Sequence, residues 1–237
     1  MAIIDFHSHV LPGIDDGSRD VSMSYQMLRL AAEQGVEIVN ATPHFYASRD
    51  RIERFLDRRS RALDRLSEVL SSELPQLNLG AEVAFFSGIS TADRIEELCL
   101  EGTEVLLLEL PFRPWSERDL EEVEALIEVR GFQVVLAHLE RYLLIRENRS
   151  YIPRLMELPL QVQINAGSLL EWRRRGKMIQ LFRAGQAHLL GSDCHNLTDR
   201  PPNLAAGRQM LAKKAGQECL ARVDAAGERL LKGVTHV

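Results

Sequence analysis

The sequence predicts an α/β fold: a single domain, residues 1–237, of about seven strand–helix units around a parallel sheet closed, or nearly closed, into a TIM-like barrel. Three observations lead there. Apolar runs of strand length alternate with stretches of helical period from end to end. Runs such as Glu104–Leu110 read as buried on both faces, and alternating with helices they imply a parallel sheet. The connections are short, with no long polar linker and no visible internal repeat. An open doubly wound sheet is the nearest rival, and the missing G-x-G-x-x-G after the first strand weighs against it.

The first strand is the run Ala2-Ile3-Ile4, leading into D-F-H-S-H-V-L-P-G-I-D-D-G, Asp5–Gly17. Ser18–Gln34 follows as a helix, with Met23, Met27, Leu30 and Ala31 on its apolar face and Gly35 to end it. Val36–Ala41 is a second strand, closed by Thr42-Pro43-His44. Arg51–Leu74 is the most polar helix, burying Ile52, Phe55, Leu56, Leu63, Leu66 and Leu70; its arginines and acids read as a solvated outer face. Leu77–Val83 is the third strand and Thr91–Leu100 a short helix. Glu104–Leu110, nearly all apolar, is the fourth strand, followed by a helix over 117–130. Phe132–Ala137 is the fifth strand, with a helix at 148–158; Leu160–Asn165 is the sixth, with a helix at 169–184. Ala187–Gly191 is the seventh strand, and the tail from Pro201 is helical with a break near Gly216.

Composition narrows the function. At 45% hydrophobic and 27% charged residues, the chain is too apolar for disorder. A net charge of -5 gives no basic field for nucleic acid or anionic membrane. Three scattered cysteines, Cys99, Cys194 and Cys219, make no disulfide framework. No signal peptide is visible, and no apolar run approaches the roughly 18 residues of a membrane span, so a cytoplasmic protein is expected.

The chemistry gathers at the C-terminal ends of the strands, where barrel enzymes place their active sites. The first strand offers His7 and His9, two residues apart and so on one face. The second offers His44, the third Glu82, the fourth Glu109, the fifth His138, and the seventh Asp193 and His195; the sixth has only Asn165. Asp15 and Asp16 follow a Pro-Gly turn that folds them back over His7 and His9. Asp16 is taken as the ligand and Asp15 as the shaper of the turn. Glu109 inside L-L-L-E-L-P is hard to explain without a cation, since an unpaired buried carboxylate is strongly disfavoured. Five of the seven histidines stand at these positions, while His188 and His236 are assigned to structure or solvent. Imidazoles with carboxylates suit Zn, Mn, Fe or Ni better than Ca. His7, His9, Asp16, His44, Glu82, Glu109, His138, Asp193 and His195 exceed what one ion needs. They fit two or three adjacent divalent ions, and hence phosphoester hydrolysis by metal-bound hydroxide.

The segments D-F-H-S-H-V-L-P-G-I-D-D-G, A-T-P-H, L-A-H-L-E-R-Y, Q-I-N-A-G-S-L and G-S-D-C-H-N-L-T-D-R-P-P resemble the polymerase-and-histidinol-phosphatase (PHP) superfamily. Within it they are most similar to the manganese-dependent bacterial protein-tyrosine phosphatases of capsule and exopolysaccharide operons. The resemblance runs in order from Ile3 to about residue 205. It implies a distorted seven-unit barrel of PHP type holding three divalent ions, manganese foremost, with Fe, Mg, Zn, Co or Ni as substitutes. The first ion would use His7, His9, Glu82 and Asp193; the second Glu82, Glu109 and His138; the third Asp16, His44 and His195. Arg141 and Arg200 match the family's phosphate-holding arginines, a role that suits a planar fork of donors. The implied partner is a phosphotyrosyl protein, foremost a tyrosine autokinase of polysaccharide export.

One departure lies after His44, where many relatives carry another histidine or a polar residue and this chain has Phe45-Tyr46. The pair either stacks on a phosphotyrosine ring or packs on the rim. Cys194 and Arg200 satisfy the C-x5-R spacing of cysteine-dependent phosphatases, but the intervening His-Asn-Leu-Thr-Asp has no glycine and ends in an acid. The rival functions are a small-molecule phosphatase acting on histidinol phosphate or a sugar phosphate, and a non-catalytic metal-binding regulatory module.

Overall fold

In the computed structural model, which describes residues 1–232, every strand pairing is parallel. His236 lies outside the described residues. The strands are β1 (Ile4–Ser8), β2 (Ile38–Ala41), β3 (His44–Phe45), β4 (Gln76–Leu79), β5 (Glu82–Ala84), β6 (Val105–Glu109), β7 (Gln133–Leu136), β8 (Gln161–Asn165) and β9 (Leu189–Gly191). They form a three-stranded sheet, β1-β2-β4, and a six-stranded sheet, β3-β5-β6-β7-β8-β9.

The parallel α/β architecture is as expected, but the strand count differs. The third expected strand divides in two at Gly80-Ala81, and the second ends at Ala41 as expected but is followed, past Thr42-Pro43, by a further short strand, β3. Pro43 has no N–H to give to a ladder. The two breaks stand level, since Ala41 registers with Leu79 before them and His44 with Glu82 after them. At both, the chain therefore steps from one sheet to the other at the same height. At the far edge, Asp193 N–H donates to the His7 carbonyl at 2.8 Å and His9 N–H to the Cys194 carbonyl at 3.0 Å. These bonds lay the end of β9 beside the end of β1.

The helices are α1 (Val21–Glu33), α2 (Ile52–Ser67), α3 (Glu117–Glu128), α4 (Leu139–Tyr142), α5 (Ile152–Leu155), α6 (Ala166–Leu170), α7 (Trp172–Arg183), α8 (Leu204–Ala215) and α9 (Gln217–Leu230). Local chemistry sets the ends of α1 and α3. Asp20 caps α1 by accepting the Met23 N–H at 2.8 Å, and Ser116 with Asp119 forms a capping box on α3. Three expected helices come out differently. In place of the helix expected over 91–100 there are two 3-10 turns, Ile89–Thr91 just before it and Ile95–Leu98 within it, with Arg94 between them in a left-handed conformation. Residues 148–158 contain only a 3-10 turn, Arg146–Ser150, and the short α5. The expected helix over 169–184 is two, α6 and α7, split by an extended Glu171. α4 was not legible at all.

On α2 one arginine contradicts the expected solvated face. Arg59 is buried, donating to the Gly80 carbonyl at 2.9 Å and pairing with Glu101 at 2.9 Å. Those bonds tie α2 to the β4–β5 break.

Strand β6 shows why its run is apolar throughout. Leu106 and Leu108 belong to the main core, whereas Val105 and Leu107 join a smaller inner cluster with Phe6, Val135, Ala137 and Leu189. Ala226 and Leu230 of α9 close the bottom of that cluster. Alternation places Glu109 on the inner face, one step beyond Leu107. The interior is thus apolar below and charged at its upper end.

Candidate metal centre

The nine sequence-predicted donors form one contiguous group at that upper end. His7 and His9 Nε2 lie 3.2 and 3.3 Å from Glu82 Oε2, and 3.6 and 3.4 Å from Asp193 Oδ1. His138 Nε2 lies 2.7 Å from Glu82 Oε1 and 3.3 Å from Glu109 Oε1. Asp16 Oδ1 lies 3.5 Å from His44 Nε2 and 3.6 Å from His195 Nε2. His44 Nδ1 comes within 2.9 Å of Glu82 Oε2, which puts Glu82 at the middle of the group.

Three sets of ligand atoms fall within 4.8 Å of one another: His7, His9 and Glu82; His44, Glu82 and Glu109; and His9, Asp16, His44 and His195. The sets overlap through His9, His44 and Glu82, more than the expected partition into three ions does. Two donors sit on strained backbone. His138 (φ 33°) and Asp193 (φ 52°) are left-handed, a conformation that costs a residue other than glycine about 1 kcal/mol or more.

The imidazoles are held from behind. His7 Nδ1 bonds Gln163 Oε1 at 3.2 Å, His9 Nδ1 bonds Asp15 Oδ2 at 2.7 Å, and His195 Nδ1 bonds the Asp193 carbonyl at 3.0 Å. With Nδ1 committed as donor, each Nε2 is left to take a proton or a metal ion. His7 and His9 Nε2 face each other at 3.1 Å, so their lone pairs repel unless a cation stands between them and the acids. His195 Nε2 is buried without a hydrogen-bond partner. Such an atom is a costly orphan unless something charged meets it. The donor set therefore fits divalent ions.

Electrostatics agrees. Burial alone would raise Glu82, but the His7 charge and hydrogen bonds from His138, His44 and His7 hold it well below the usual carboxylate range. Asp193 is likewise low, because His7 and His9 outweigh its burial. Burial disfavours charge on His138 too, yet hydrogen bonds to Glu109 and Glu82 bring it up to about 9. Burial against Asp15's charge and hydrogen bond leaves His9 well above an ordinary imidazole. His195 goes the other way, to about 4, through burial and then the charges of His9 and Arg200. Protons on some imidazoles thus balance the acids, a task a metal ion performs without them.

Arg141 and Arg200 both reach Asp193 Oδ2, the latter at 2.5 Å, and Asn165 Nδ2 donates to the same atom at 2.7 Å. Asp15, less certain from sequence, is partly buried against His9 and also accepts the His44 N–H at 2.9 Å; Asp16 is the exposed acid, within reach of His44 and His195. The aromatic pair divides. Phe45 is buried against Phe55, ring centroids 5.3 Å apart, so its proposed place at the substrate entrance is corrected. Tyr46, just past the end of β3, borders the centre with its ring centroid 5.2 Å from that of His44. Cys194 is buried, and burial pushes its thiol up to about 12, the reverse of an activated nucleophile.

Two residues at the site were missed from sequence. Gln163 accepts from His7 and also from the His138 N–H at 2.9 Å, and passes the network on to Asn165 at 2.8 Å. Its signal was a polar residue inside a buried strand, the signal that exposed Glu109. Phe112 is 53% exposed and stacks on His138 with centroids 5.7 Å apart. No motif marks it. His188 serves structure, its Nδ1 accepting the Val162 N–H at 3.0 Å.

Parallel strands that bring imidazoles and carboxylates to one rim define an α/β protein with a candidate metal centre. The chain belongs to the CpsB/CapC family of capsular polysaccharide synthesis, which matches residues 3–230. The tyrosine-protein phosphatase YwqE of Bacillus subtilis (strain 168) is 30% identical over 239 residues, covering 98% of this chain and 93% of its own. The tyrosine-protein phosphatase CpsB of Streptococcus agalactiae serotype V is 25% identical over 230 residues, covering 91% and 92%. A solved structure from work on YwqE and on CpsB of Streptococcus pneumoniae, described as unique metal-dependent tyrosine phosphatases, matches with a TM-score of 0.80. It is 27% identical, covering 98% of this chain and 96% of the other. The family expected from the motifs is the family found.

Proposed function

We propose that this chain is a metal-dependent protein-tyrosine phosphatase of capsular or exopolysaccharide synthesis. The observation that carries this reading is the two-sided use of Asp193. Its Oδ1 faces His7 and His9, while Arg141 and Arg200 meet at its Oδ2. Two guanidinium forks thus stand at the mouth of the donor group, placed to exchange a carboxylate for phosphoryl oxygens.

His7, His9, Glu82 and Asp193 would hold one ion, Glu82, Glu109 and His138 a second, and Asp16, His44 and His195 a third, with manganese the foremost candidate. Bound divalent ions supply a more acidic water and positive charge for the phosphoryl oxygens. Arg141 and Arg200 orient the phosphate. Phe112 offers an exposed ring beside His138, and Tyr46 walls the other side, so an aryl phosphate ester finds apolar surface next to the charge. The departing phenolate, with a pKa of roughly 10, needs little help from an acid. We take the fold as a distorted seven-unit barrel of PHP type, with β2 and β3 counted as one strand and β4 and β5 as another. The substrate is a phosphotyrosyl protein, foremost a tyrosine autokinase, met in the cytoplasm; no described helix is long and apolar enough to cross a membrane.

The test is a panel of phosphotyrosyl peptides, histidinol phosphate and sugar phosphates, assayed after chelation and again with added Mn. Chelation is expected to abolish phosphotyrosyl turnover and Mn to restore it. Turnover confined to the small substrates would overturn the assignment.

A further inference from the structure

A cleft of about 420 Å³ opens directly from the metal-centre residues Asp16 and His44. Tyr46 walls it, and beyond lie Arg49, Arg54 and Arg58, with Asp50 the only acid on that outer part. The arginines are not neutralised in place. Asp50 Oδ2 pairs with Arg58 at 2.8 Å, and its other oxygen stands 3.8 Å from Arg54, whose side chain is 76% exposed. Arg49 lies over the Tyr46 ring, 4.8 Å from its centroid, and has no carboxylate partner among the described residues. Arg58 is fixed by a further bond, 3.0 Å to the Ile14 carbonyl. One end of the cleft is therefore built of metal donors, and the other carries three guanidinium groups against one carboxylate.

We infer that the Arg49–Arg54–Arg58 end of this cleft is a subsite for an acidic side chain of the substrate, an aspartate or glutamate near the phosphorylated residue. The cleft's volume is that of a small-ligand pocket, enough for a side chain or two beside the phosphate. A carboxylate there accepts charge-assisted hydrogen bonds from guanidinium forks that the fold leaves partly free. Tyr46 holds Arg49 by its ring face, so that arginine is positioned before substrate arrives. The inference rests on the phosphatase reading and adds to it a rule of sequence preference.

The experiment uses the Mn-loaded full chain and two phosphotyrosyl peptides that differ only in flanking Glu or Gln. The Glu peptide is expected to show a KM about tenfold lower, with kcat unchanged, and to lose that advantage as NaCl is raised. In the double variant Arg49→Gln/Arg54→Gln the ratio of the two KM values falls to about one. Arg58 is left in place because its bond to Ile14 supports the loop. Equal KM values in the unmodified protein, with both peptides turned over, would overturn the subsite alone. Failure to hydrolyse either peptide would instead overturn the phosphatase reading beneath it.

Discussion

A single amide shows how much of this site depends on residues that touch no metal. Gln163 holds His7 by Nδ1 and the backbone of His138 by one oxygen, and its nitrogen steadies Asn165. Replacing Gln163 by Leu keeps the volume but removes that acceptor. The expected result is a 10- to 100-fold loss of Mn affinity with helical content retained, read by titration calorimetry and circular dichroism. Unchanged affinity would show that His7 is held well enough by its strand. The histidines and acids were legible because charged or imidazole side chains at the ends of apolar runs demand an explanation. Gln163 and Phe112 were not, since a neutral amide and an exposed ring are both ordinary in a soluble protein. Phe45 and Tyr46 look alike in sequence, yet Phe45 packs in the core against Phe55 while Tyr46 lies beside the His44 ring.

Strand β9 must lie close against β1 for Asp193 to reach His7 and His9. Gly191 permits it. A Cβ there would meet the His7 Cβ at 2.6 Å and Gln163 Nε2 at 2.9 Å. Gly17 does the same for the returning loop, where a Cβ would come within 2.4 Å of the His9 Cβ. Gly191→Ala is expected to destabilise the protein by about 1–3 kcal/mol and to lower its bound Mn, measured by thermal unfolding and metal analysis of the same preparation. Full metal content in that variant would mean the seam yields without disturbing the donors. Strands and long helices were legible from period and length. The short ones were not, because α4 spans a single turn and α6 little more, too few residues to display a helical repeat. The level breaks between β2 and β3 and between β4 and β5 are likewise a property of strand pairing, not of either segment.

Across the whole molecule the donor group couples protons, metal and stability. The unfolded imidazole loses its proton near 6.5, whereas His138 in the metal-free fold keeps its proton to about 9. That charge stabilises the metal-free protein fully below about 6.5, and the contribution is lost as pH rises through about 9. Glu82 and Asp193, held low, act at the other end: their contribution stands above the ordinary carboxylate range and is lost as acid protonates them. Metal needs the same imidazole nitrogens bare, so its affinity climbs over the interval in which His138 lets go. Melting temperature is expected to fall from about pH 7 to 9 without metal and to hold or rise with Mn. Proton release on binding, counted in buffers of different ionisation heat, checks the linkage. A metal-free melting temperature that rises across that interval would contradict the assignment. The same residues set an order on synthesis. The donors begin at His7 and end at His195, and the last strand must dock beside the first before the set is complete. A growing chain therefore carries most of the candidate donors, Glu82, Glu109 and His138 among them, before Asp193 and His195 are made. On the proposed reading the full donor set is complete only after His195 has left the ribosome and β9 has closed on β1.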